Sequence, residues 1–281
     1  VVIPAHNEAR TIARLLSALR SDASGVDGDI EIVVVCNGCT DATAALARAA
    51  DPKARVIEVA SASKSAALKL GDHLARAFPR VYCDADVELT GADLAHLLEL
   101  LLPVEGRPEI LATAPTRILR TDRSSRVVRW YYEFWQRLPG VRAGLYGRGV
   151  IAVSAKGHAR IAALPTVMAD DLAMSEAFET GQTCVSPDSR VIIYPPRTLA
   201  DLIRRRVRAV TGTHQVMAAD LGNPDSRTTA SDIGHVLRGE PAMVTRLPVF
   251  AMVTMISRAR ARRAIKRADF STWQRDESSR S

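Results

Sequence analysis

The stretch Arg80-Val81-Tyr82-Cys83-Asp84-Ala85-Asp86 decides the fold. It begins as a short strand-like run, and two carboxylates spaced i and i+2 follow at once. In an open α/β sheet, ligands bind outside the carboxyl ends of the strands, so this pattern predicts a ligand site at a sheet edge. Clustered carboxylates repel each other unless a positive group lies between them. Because Mg²⁺ and Mn²⁺ prefer oxygen ligands and phosphates, Asp84 and Asp86 are candidate metal ligands.

Strand-like and helix-like segments alternate on both sides of this stretch. Ile30–Cys36 is a β-branched run typical of a parallel strand buried on both faces. Glu8–Leu19 has apolar residues at helical spacing. The repeated order of strand and helix predicts an α/β fold with a doubly wound, mostly parallel, Rossmann-like sheet and a C-terminal helical extension. The predicted strands are Val1–Pro4, Ile30–Cys36, Val56–Val59, Arg80–Cys83, Ile110–Pro115, Val150–Val153 and Val191–Tyr194.

Composition limits the class of protein. The 281 residues are 47% hydrophobic and 25% charged, which is ordinary for a soluble globular protein and disfavours a disordered or fibrous chain. The four cysteines are too few and too scattered for a disulfide scaffold, so the sequence predicts a reducing, cytoplasmic compartment. No stretch of the sequence reaches the roughly 18 apolar residues that are needed to span a bilayer.

Basic residues are concentrated in the last third of the chain. Residues 1–196 carry 22 Lys and Arg against 23 Asp and Glu, whereas residues 197–281 carry 16 against 8. Such an excess indicates a local anionic partner, with a solvated arginine-rich surface as the alternative. Within it, Leu247–Lys266 joins an apolar stretch to several cations. This pattern fits a helix on the inner face of an anionic membrane, and equally a helix packed on the domain.

Four segments, in order, resemble the family-2 glycosyltransferases, which have the GT-A fold. Val1–Glu8 resembles the opening strand and V-x-I-P-x-x-N-E loop of that family, and Val35–Thr43 resembles its D-D-G-S-T-D-x-T loop. Lys64–Gly71 resembles its G-K-x-x-A-L-N-x-G segment, and Asp84-Ala85-Asp86 lies where it keeps a metal-binding D-x-D motif. The resemblance implies transfer of one sugar from a nucleotide-diphospho-sugar donor, with Mn²⁺ or Mg²⁺ as cofactor.

The resemblance also implies which residues hold the donor. The first loop would contact the base and ribose, the second loop would shape the same pocket, and Lys64 would lie near the diphosphate. For Glu8 and Asp41, helix capping is the alternative role. Cys36, Cys39 and Lys69 depart from the usual residues of the family, so the donor stays open between a UDP- and a GDP-sugar. The predicted donor-site residues are Pro4, Ala5, Asn7, Glu8, Asn37, Asp41, Lys64, Asp84, Ala85 and Arg208.

Asp170-Asp171-Leu172 resembles the E-D-x-x-L segment of the family, whose second acid is the catalytic base. In a direct displacement with inversion, the acceptor hydroxyl loses a proton as it attacks the anomeric carbon, and a carboxylate within hydrogen-bond distance accepts it. Asp171 is therefore the predicted base, and Asp170 is predicted to support it. The alternative is an acidic pair that complements a helix dipole.

Arg205-Arg206-Val207-Arg208-Ala209 stands where processive relatives carry Q-x-x-R-W, and only Arg208 matches. The missing Gln and Trp favour single-sugar transfer. Arg208 is predicted to contact the diphosphate, because a guanidinium matches the geometry of phosphate oxygens. His214 is a candidate third metal ligand, with a surface or packing residue as the alternative.

Three other patterns carry weaker hypotheses. Gly140–Gly149 is predicted to be a mobile acceptor-side loop. The aromatic residues Trp130, Tyr131 and Trp135 either stack on a sugar or belong to the core. Cys36-x-x-Cys39 either forms a redox pair or belongs to the nucleotide loop, and zinc is disfavoured because it needs four ligands.

The organisation predicted from these patterns has three parts. Residues 1–115 form a nucleotide-sugar-binding half, residues 116–217 form the acceptor-binding half of the same domain, and residues 218–281 form a linker and a basic, amphipathic helix. The predicted function is inverting, metal-dependent transfer of a sugar to an unnamed acceptor for cell-surface glycan or glycolipid synthesis. The alternatives are a nucleotidyltransferase and a non-catalytic protein tethered to membrane or nucleic acid. No nucleic-acid partner is expected for the leading hypothesis.

Overall fold

The structure is a computed structural model that describes residues 1–21, 30–106, 108–164, 170–179, 181–218 and 228–266. These residues form a seven-stranded sheet. The strands are β1 (Val2–Ala5), β2 (Val33–Asn37), β3 (Arg55–Val59), β4 (Arg80–Cys83), β5 (Ala112–Leu119), β6 (Val150–Val153) and β7 (Thr183–Ile193).

Eleven α-helices lie within the described residues, and a 3₁₀ turn at Pro241–Thr245 precedes the last of them. The helices are α1 (Ile12–Arg20), α2 (Thr43–Ala50), α3 (Lys64–Leu74), α4 (Gly91–Glu99), α5 (Arg126–Trp135), α6 (Pro139–Ala143), α7 (Ala155–Ala162), α8 (Asp170–Glu176), α9 (Leu199–Ala218), α10 (Ala230–Gly239) and α11 (Leu247–Lys266).

The strand order is β3-β2-β1-β4-β6-β5-β7. The pairs β3–β2, β2–β1, β1–β4 and β5–β7 are parallel, whereas β6 runs antiparallel to both of its neighbours. The parallel strands β1 and β4 therefore end at the same edge, and the loops that follow them meet there. Residues 84–86 emerge at this edge, as the sequence predicts.

The sheet is covered on both faces, because successive side chains of its strands enter different clusters. On one face, Ile3, Val34 and Val81 pack with α1 and α4. On the other face, Val33 and Val35 pack against Ala67 of α3. Burial on both faces explains why these strands are continuous apolar runs in the sequence.

The helix α3 approaches β1 closely at a glycine. A Cβ atom at Gly71 would lie 2.5 Å from Cγ1 of Val2, so a larger residue there would force the helix off the sheet. This close contact sets the position of the whole helix, including Lys64 at its first turn. Gly71 closes the Lys64–Gly71 segment, so the glycine of that segment has a packing role.

A buried polar cluster connects α3 to α7. Asp72 accepts hydrogen bonds from Tyr82 Oη at 2.8 Å and from His158 Nε2 at 2.7 Å, and it pairs with Arg80. Burial alone would raise the pKa of Asp72, but the bonds from His158 and Tyr82 outweigh it and leave that pKa below its usual value. The carboxylate therefore stays charged and holds the two helices together.

The C-terminal helices form a second core with α5. Tyr131, Phe134 and Phe250 are buried there, and the rings of Phe134 and Phe250 stack with centroids 4.7 Å apart. Trp135 is buried as well. Of the two roles open to the aromatic residues of this segment, the structure therefore gives Tyr131 and Trp135 the core role.

Each of the seven predicted strands has an observed strand that overlaps it, and the boundaries of the later elements differ. The strand β7 begins at Thr183, well before the predicted Val191, because it pairs along the whole of β5. Residues 218–281 are predicted to form a linker and one basic helix, yet a further helix, α10, occupies Ala230–Gly239. The reason is a capping box, in which Thr229 and Asp232 satisfy the first N–H groups of that helix.

Candidate active site

The two carboxylates of the D-x-D motif stand at the end of β4. Asp84 and Asp86 are half-buried, whereas Ala85 and Val87 between and after them are buried at 3% and 2% exposure. This alternation turns the apolar residues into the core and leaves both carboxylates facing outward. The backbone N–H of Asp84 donates to the carbonyl of Gly149 at 2.7 Å, which fixes the start of the motif against β6.

Lys64 lies directly against this motif. Its Nζ atom is 2.7 Å from Oδ1 of Asp84. Lys64 is the first residue of α3, and the side chain of Ser63 caps the helix by accepting the N–H of Ala66. The structure thus brings together a lysine and an aspartate that are 20 positions apart. Both side chains remain partly exposed, so a ligand can reach the pair.

Gly149 provides the space beside Asp84. It has a φ of +69°, and a Cβ atom there would lie 2.7 Å from Val87 Cγ1 and 3.3 Å from Asp84 Oδ2. Any side chain at this position would be strained and would crowd the carboxylate. Gly149 is not among the residues predicted for the site. In the sequence, Gly149 stands just before a predicted strand. That position does not show which carboxylate the glycine faces.

The loop after β1 is fastened to the loop after β2. Asn7 has a positive φ of 55°, and its Oδ1 atom accepts the backbone N–H of Thr40 at 2.7 Å. The N–H of Asn7 points to Sγ of Cys39 at 3.4 Å. A side-chain amide in a left-handed residue thus joins the two segments that the sequence predicts to form one nucleotide pocket.

Asp41 and Thr43 brace the same two loops. Asp41 accepts the N–H of Ala9 at 3.2 Å and the N–H of Thr43 at 3.0 Å, while Thr43 Oγ1 accepts the N–H of Glu8 at 2.7 Å. The Glu8 carboxylate is 5% exposed and accepts a hydrogen bond from Thr11 Oγ1 at 3.0 Å. Asp41 thus accepts the first N–H of α2, although the N-cap residue of that helix is Ala42, which makes no side-chain cap. Thr43 was missed in the sequence because its role depends on a residue 35 positions away.

Asn37, which is predicted to shape the nucleotide pocket, has a buried acceptor atom. Its side chain is 2% exposed, and its Nδ2 atom donates to the carbonyl of Ala5 at 2.8 Å. Its Oδ1 atom is buried and has no hydrogen-bond partner among the described residues. Buried polar atoms are normally satisfied, so an oxygen without a partner at this position is unusual. Pro4 and Ala5 are themselves buried in β1 and present backbone atoms only.

The cysteines of this pocket do not have the properties of a redox pair. Cys36 and Cys39 are both free thiols. Burial, together with the neighbouring Cys39, raises the pKa of Cys36 to about 12. Catalytic disulfide-forming cysteines have lowered pKa values, so the structure favours the nucleotide-loop interpretation of this segment.

Two buried arginines hold the acceptor-side loop. Arg148 donates to the carbonyls of Gly144 at 2.9 Å, Pro115 at 3.0 Å and Arg142 at 2.7 Å. Arg117 donates to the carbonyl of Gly147 at 3.2 Å. The prediction of a mobile loop at Gly140–Gly149 needs correction, because part of it is the helix α6 and the rest is fastened by guanidinium groups.

These arginines have no carboxylate partner among the described residues. Arg117 is 8% exposed and Arg148 is 3% exposed. Burial, together with the nearby positive charge of Arg148, lowers the pKa of Arg117 to about 9. Burial also lowers the pKa of Arg148 to about 10. The guanidinium of Arg117 also lies 4.7 Å from the centroid of the Trp135 ring. Backbone carbonyls and an aromatic face thus stabilise two charges that no aspartate neutralises.

The remaining predicted residues lie on α8 and α9. The backbone of Asp170 and Asp171 begins α8, but their side chains lie outside the described residues. Ser175, on the same helix, accepts the N–H of Leu145 at 3.3 Å, so α8 borders the acceptor-side loop. On α9, Arg208 is half-buried and His214 is exposed. Within the described part of the chain, no three His, Cys, Asp or Glu residues form a group that could hold a metal ion.

Comparisons with known proteins agree with this geometry. The family model Glycosyl transferase family 2 matches residues 1–139. Glucosyl-3-phosphoglycerate synthase from Mycobacterium tuberculosis, solved with Mn²⁺, uridine diphosphate (UDP) and glucosyl-3-phosphoglycerate, is 19% identical with a TM-score of 0.52, over 79% of this chain and 80% of that chain. Its complex with Mg²⁺ and UDP is 19% identical with a TM-score of 0.53, over 79% of each chain.

A crystal structure of a mycobacterial protein is also similar, with 18% identity and a TM-score of 0.52, over 79% of this chain and 74% of that chain. No curated protein sequence matches the chain. At these identities the solved structures establish the shared fold, which is the GT-A fold predicted from the sequence. The family model of glycosyl transferase family 2 matches residues 1–139, just under half of the chain, so the resemblance to that family predicted from the sequence is confirmed over this part.

Proposed function

We propose that this protein transfers one sugar from a nucleotide-diphospho-sugar to an acceptor hydroxyl, with a divalent cation as cofactor. The observation that carries the proposal is the contact between Lys64 and Asp84, at 2.7 Å, at the carboxyl end of β4. This contact brings an ammonium group against the first carboxylate of the D-x-D motif, at the strand end beside β1 and its braced loop. A diphosphate that binds together with a divalent cation needs negative carboxylates for the cation and a positive group for its own phosphate oxygens.

The donor set at this edge fits Mg²⁺ or Mn²⁺. Such ions commonly use one or two protein carboxylates, and substrate phosphates complete the coordination. Asp84 and Asp86 would hold the ion, and the lack of a third described protein ligand agrees with a site completed by the diphosphate. The bound ion would supply positive charge against the leaving diphosphate. We keep His214 as a candidate third ligand of the metal ion in this proposal.

The protein's own residues then orient the donor. In this proposal Lys64 contacts the diphosphate, and Oδ1 of Asn37, which has no hydrogen-bond partner among the described residues, accepts an N–H group of the base. The braced loops carry Asn7, Glu8 and Asp41 around the nucleoside. Similar solved structures contain UDP or UDP-glucose, which favours a UDP-sugar over a GDP-sugar as the donor. Arg208 is proposed as a second contact to the diphosphate.

We propose Asp171 as the base that removes the acceptor proton, in an inverting displacement, with Asp170 as its neighbour. The position of α8 beside the acceptor-side loop supports this assignment. The variant Asp171→Asn removes the basic oxygen while it keeps the shape of the side chain. We expect kcat to fall by about 10²- to 10⁴-fold with donor binding unchanged. Full transfer activity in this variant would refute the role.

A thermal-shift screen tests the donor assignment. The full chain is measured with UDP-, GDP- and dTDP-sugars, each with and without Mn²⁺. We expect one nucleotide class to raise the midpoint of unfolding only when Mn²⁺ is present, because binding to the native state alone stabilises it. The matched control is Asp86→Asn, in which the metal-dependent shift should disappear. A shift that does not require a divalent ion would contradict the proposal.

The biological setting is also a proposal. We infer a cytoplasmic enzyme at the inner face of an anionic membrane, acting in the synthesis of a cell-surface glycan or glycolipid. The basic C-terminal third supports this setting. A nucleotidyltransferase remains the alternative enzyme class, but such enzymes usually carry a G-x-G-T-R-type loop after the first strand, and Pro4–Glu8 lacks it.

A further inference from the structure

The helix α11 is anchored along one side. Phe250, Val253 and Ala261 are at most 5% exposed, and the helix lies against α5 and α9. It is therefore part of the folded domain, and its orientation is fixed by packing. Within the described residues, no helix is long and apolar enough to cross a membrane.

The opposite side of α11 combines exposed methionines with exposed arginines. Met252 is 37% exposed and Met255 is 65% exposed. Residues three or four apart are neighbours on a helix surface, so Met252, Met255 and Ala259 continue directly into Arg262 and Arg263. We call this side, formed by Met252, Met255, Arg258, Ala259, Arg262 and Arg263, the outer face of α11.

The charge of this face is entirely positive. The sequence from Leu247 to Lys266 contains no Asp or Glu. Arg258, Arg260, Arg262 and Arg263 are exposed, and none forms an ion pair with another described residue. By contrast, the exposed Arg48 pairs with Glu58 at 2.8 Å. The outer face is thus a cationic surface with no internal counter-charge among the described residues.

A cleft beside the outer face adds a place for an anionic group. Ile203, Val207 and Arg260 line it together with Arg204, and its volume is about 380 Å³. Arg204 already pairs with Asp201 on its own helix, so Arg260 is the charge left for a ligand. Arg260 is adjacent to Arg263 on the surface of α11. Apolar walls and one available guanidinium suit a phosphate that carries an apolar chain.

We propose that the outer face of α11 docks on an anionic phospholipid surface, with the arginines on lipid phosphates and the two methionines at the acyl boundary. Guanidinium groups bind phosphate oxygens well, and a helix that joins apolar residues to cations is suited to the membrane interface. Exposed methionines favour a lipid surface over nucleic acid, which offers no apolar layer to receive them. This inference refines the membrane setting within the proposed function, but it is measurable without sugar transfer.

Vesicle co-sedimentation of the full chain tests the proposal. One vesicle contains phosphatidylglycerol and phosphatidylcholine in equal amounts, and the other contains phosphatidylcholine alone. We expect binding to the anionic vesicle only, with loss of binding at high salt. In Arg258→Glu/Arg262→Glu/Arg263→Glu, we expect affinity to fall by about a hundredfold or more, because each cation near the surface contributes. Met252→Ser/Met255→Ser should bind less tightly while keeping its salt dependence.

The control variant Lys53→Glu/Arg76→Glu/Arg123→Glu changes the net charge equally at exposed positions outside α11. Its affinity for the anionic vesicles should stay within about threefold of the wild-type affinity, because binding depends on the charges of the outer face and not on the net charge of the protein. Three outcomes would each overturn the proposal. They are an equal loss of vesicle affinity in both triple variants, no vesicle binding by the wild type, and binding to duplex DNA in preference to the vesicles. Metal-dependent thermal shifts with a sugar nucleotide should persist in every variant, so failure here leaves the donor site untouched.

Discussion

The donor-side loops and the acceptor-side loop are held in different ways. The loops after β1 and β2 are joined by short polar side chains, such as Asn7 and Asp41, which bond to backbone N–H groups across the pocket. The acceptor-side loop is held from beneath by Arg117 and Arg148, whose guanidinium groups bond to backbone carbonyls. The donor-side loops are thus joined through their backbone N–H groups, whereas the acceptor-side loop is held through its backbone carbonyl groups.

This difference has a physical consequence for each side. Short polar braces at partly exposed positions leave the donor pocket open to ligand and contribute modestly to stability. Buried guanidinium groups without carboxylates cost desolvation energy, which only a complete set of carbonyl partners can offset. We therefore expect donor-side changes to affect ligand binding and acceptor-side changes to affect the fold.

Replacing the D-x-D carboxylates should have the largest effect. In Asp84→Asn and Asp86→Asn we expect the transfer rate to fall by about 10³-fold, because charge that stabilises the leaving diphosphate is lost. Stability should stay nearly constant, since both carboxylates are half exposed and surface pairs contribute little. Single-turnover assays and thermal unfolding measure the two effects. The matched control, Asp122→Asn, should retain wild-type turnover, and a normal rate in both D-x-D variants would disprove the assignment.

Replacing Arg148 should have the next largest effect, and it should fall on stability. Arg148→Met leaves the carbonyls of Gly144, Pro115 and Arg142 without their buried donor. We expect the free energy of unfolding to fall by about 3 kcal/mol, measured by urea denaturation. The exposed neighbour Arg142, changed to Met, should alter it by less than about 0.5 kcal/mol. Equal stability in the two variants would mean that the guanidinium does not support the loop.

Removing the brace at Asp41 should be milder and should fall on donor binding. Asp41→Ala leaves the N–H groups of Ala9 and Thr43 without their acceptor. We expect a loss of about 1 kcal/mol in stability and a weakening of nucleotide binding by about fivefold, because one of the bonds that join the two loops is lost while those of Asn7 and Thr43 remain. Calorimetric titration of the nucleotide with Mn²⁺ checks this result. Glu105→Ala, at an exposed position away from the pocket, should leave the affinity unchanged.

Changing the redox state of the cysteines should have the smallest effect. Because burial raises the pKa of Cys36 to about 12, its thiolate fraction near neutral pH is far below that of an ordinary cysteine. Alkylation of Cys36 in the native protein, followed by mass spectrometry, should be much slower than in the unfolded chain at the same pH, because the thiol is 1% exposed. Transfer activity should be the same after mild oxidant and after reductant. A Cys36–Cys39 disulfide that switches activity would reverse this interpretation.

The sequence predicts the donor side of the molecule better than the acceptor side. Buried parallel strands are apolar runs, and the residues that follow them reach one edge by topology alone, so the region from Val1 to Asp86 was open to prediction. The helix α10 was missed because its polar composition resembles a linker, although its Thr229–Asp232 capping box was present in the sequence. The arginine supports of the acceptor loop could not be foreseen, since only the folded backbone shows where five carbonyls converge on Arg117 and Arg148.

The hydrogen bond from the N–H of Asp84 to the carbonyl of Gly149 joins the two sides of the molecule. Gly149 directly follows Arg148, so the segment that the buried guanidinium holds also fixes the start of the D-x-D motif. Under the proposed function, a displacement of this segment by the acceptor would therefore also move the carboxylate that holds the cation. The coupling between the two substrates would pass through one residue that has no side chain.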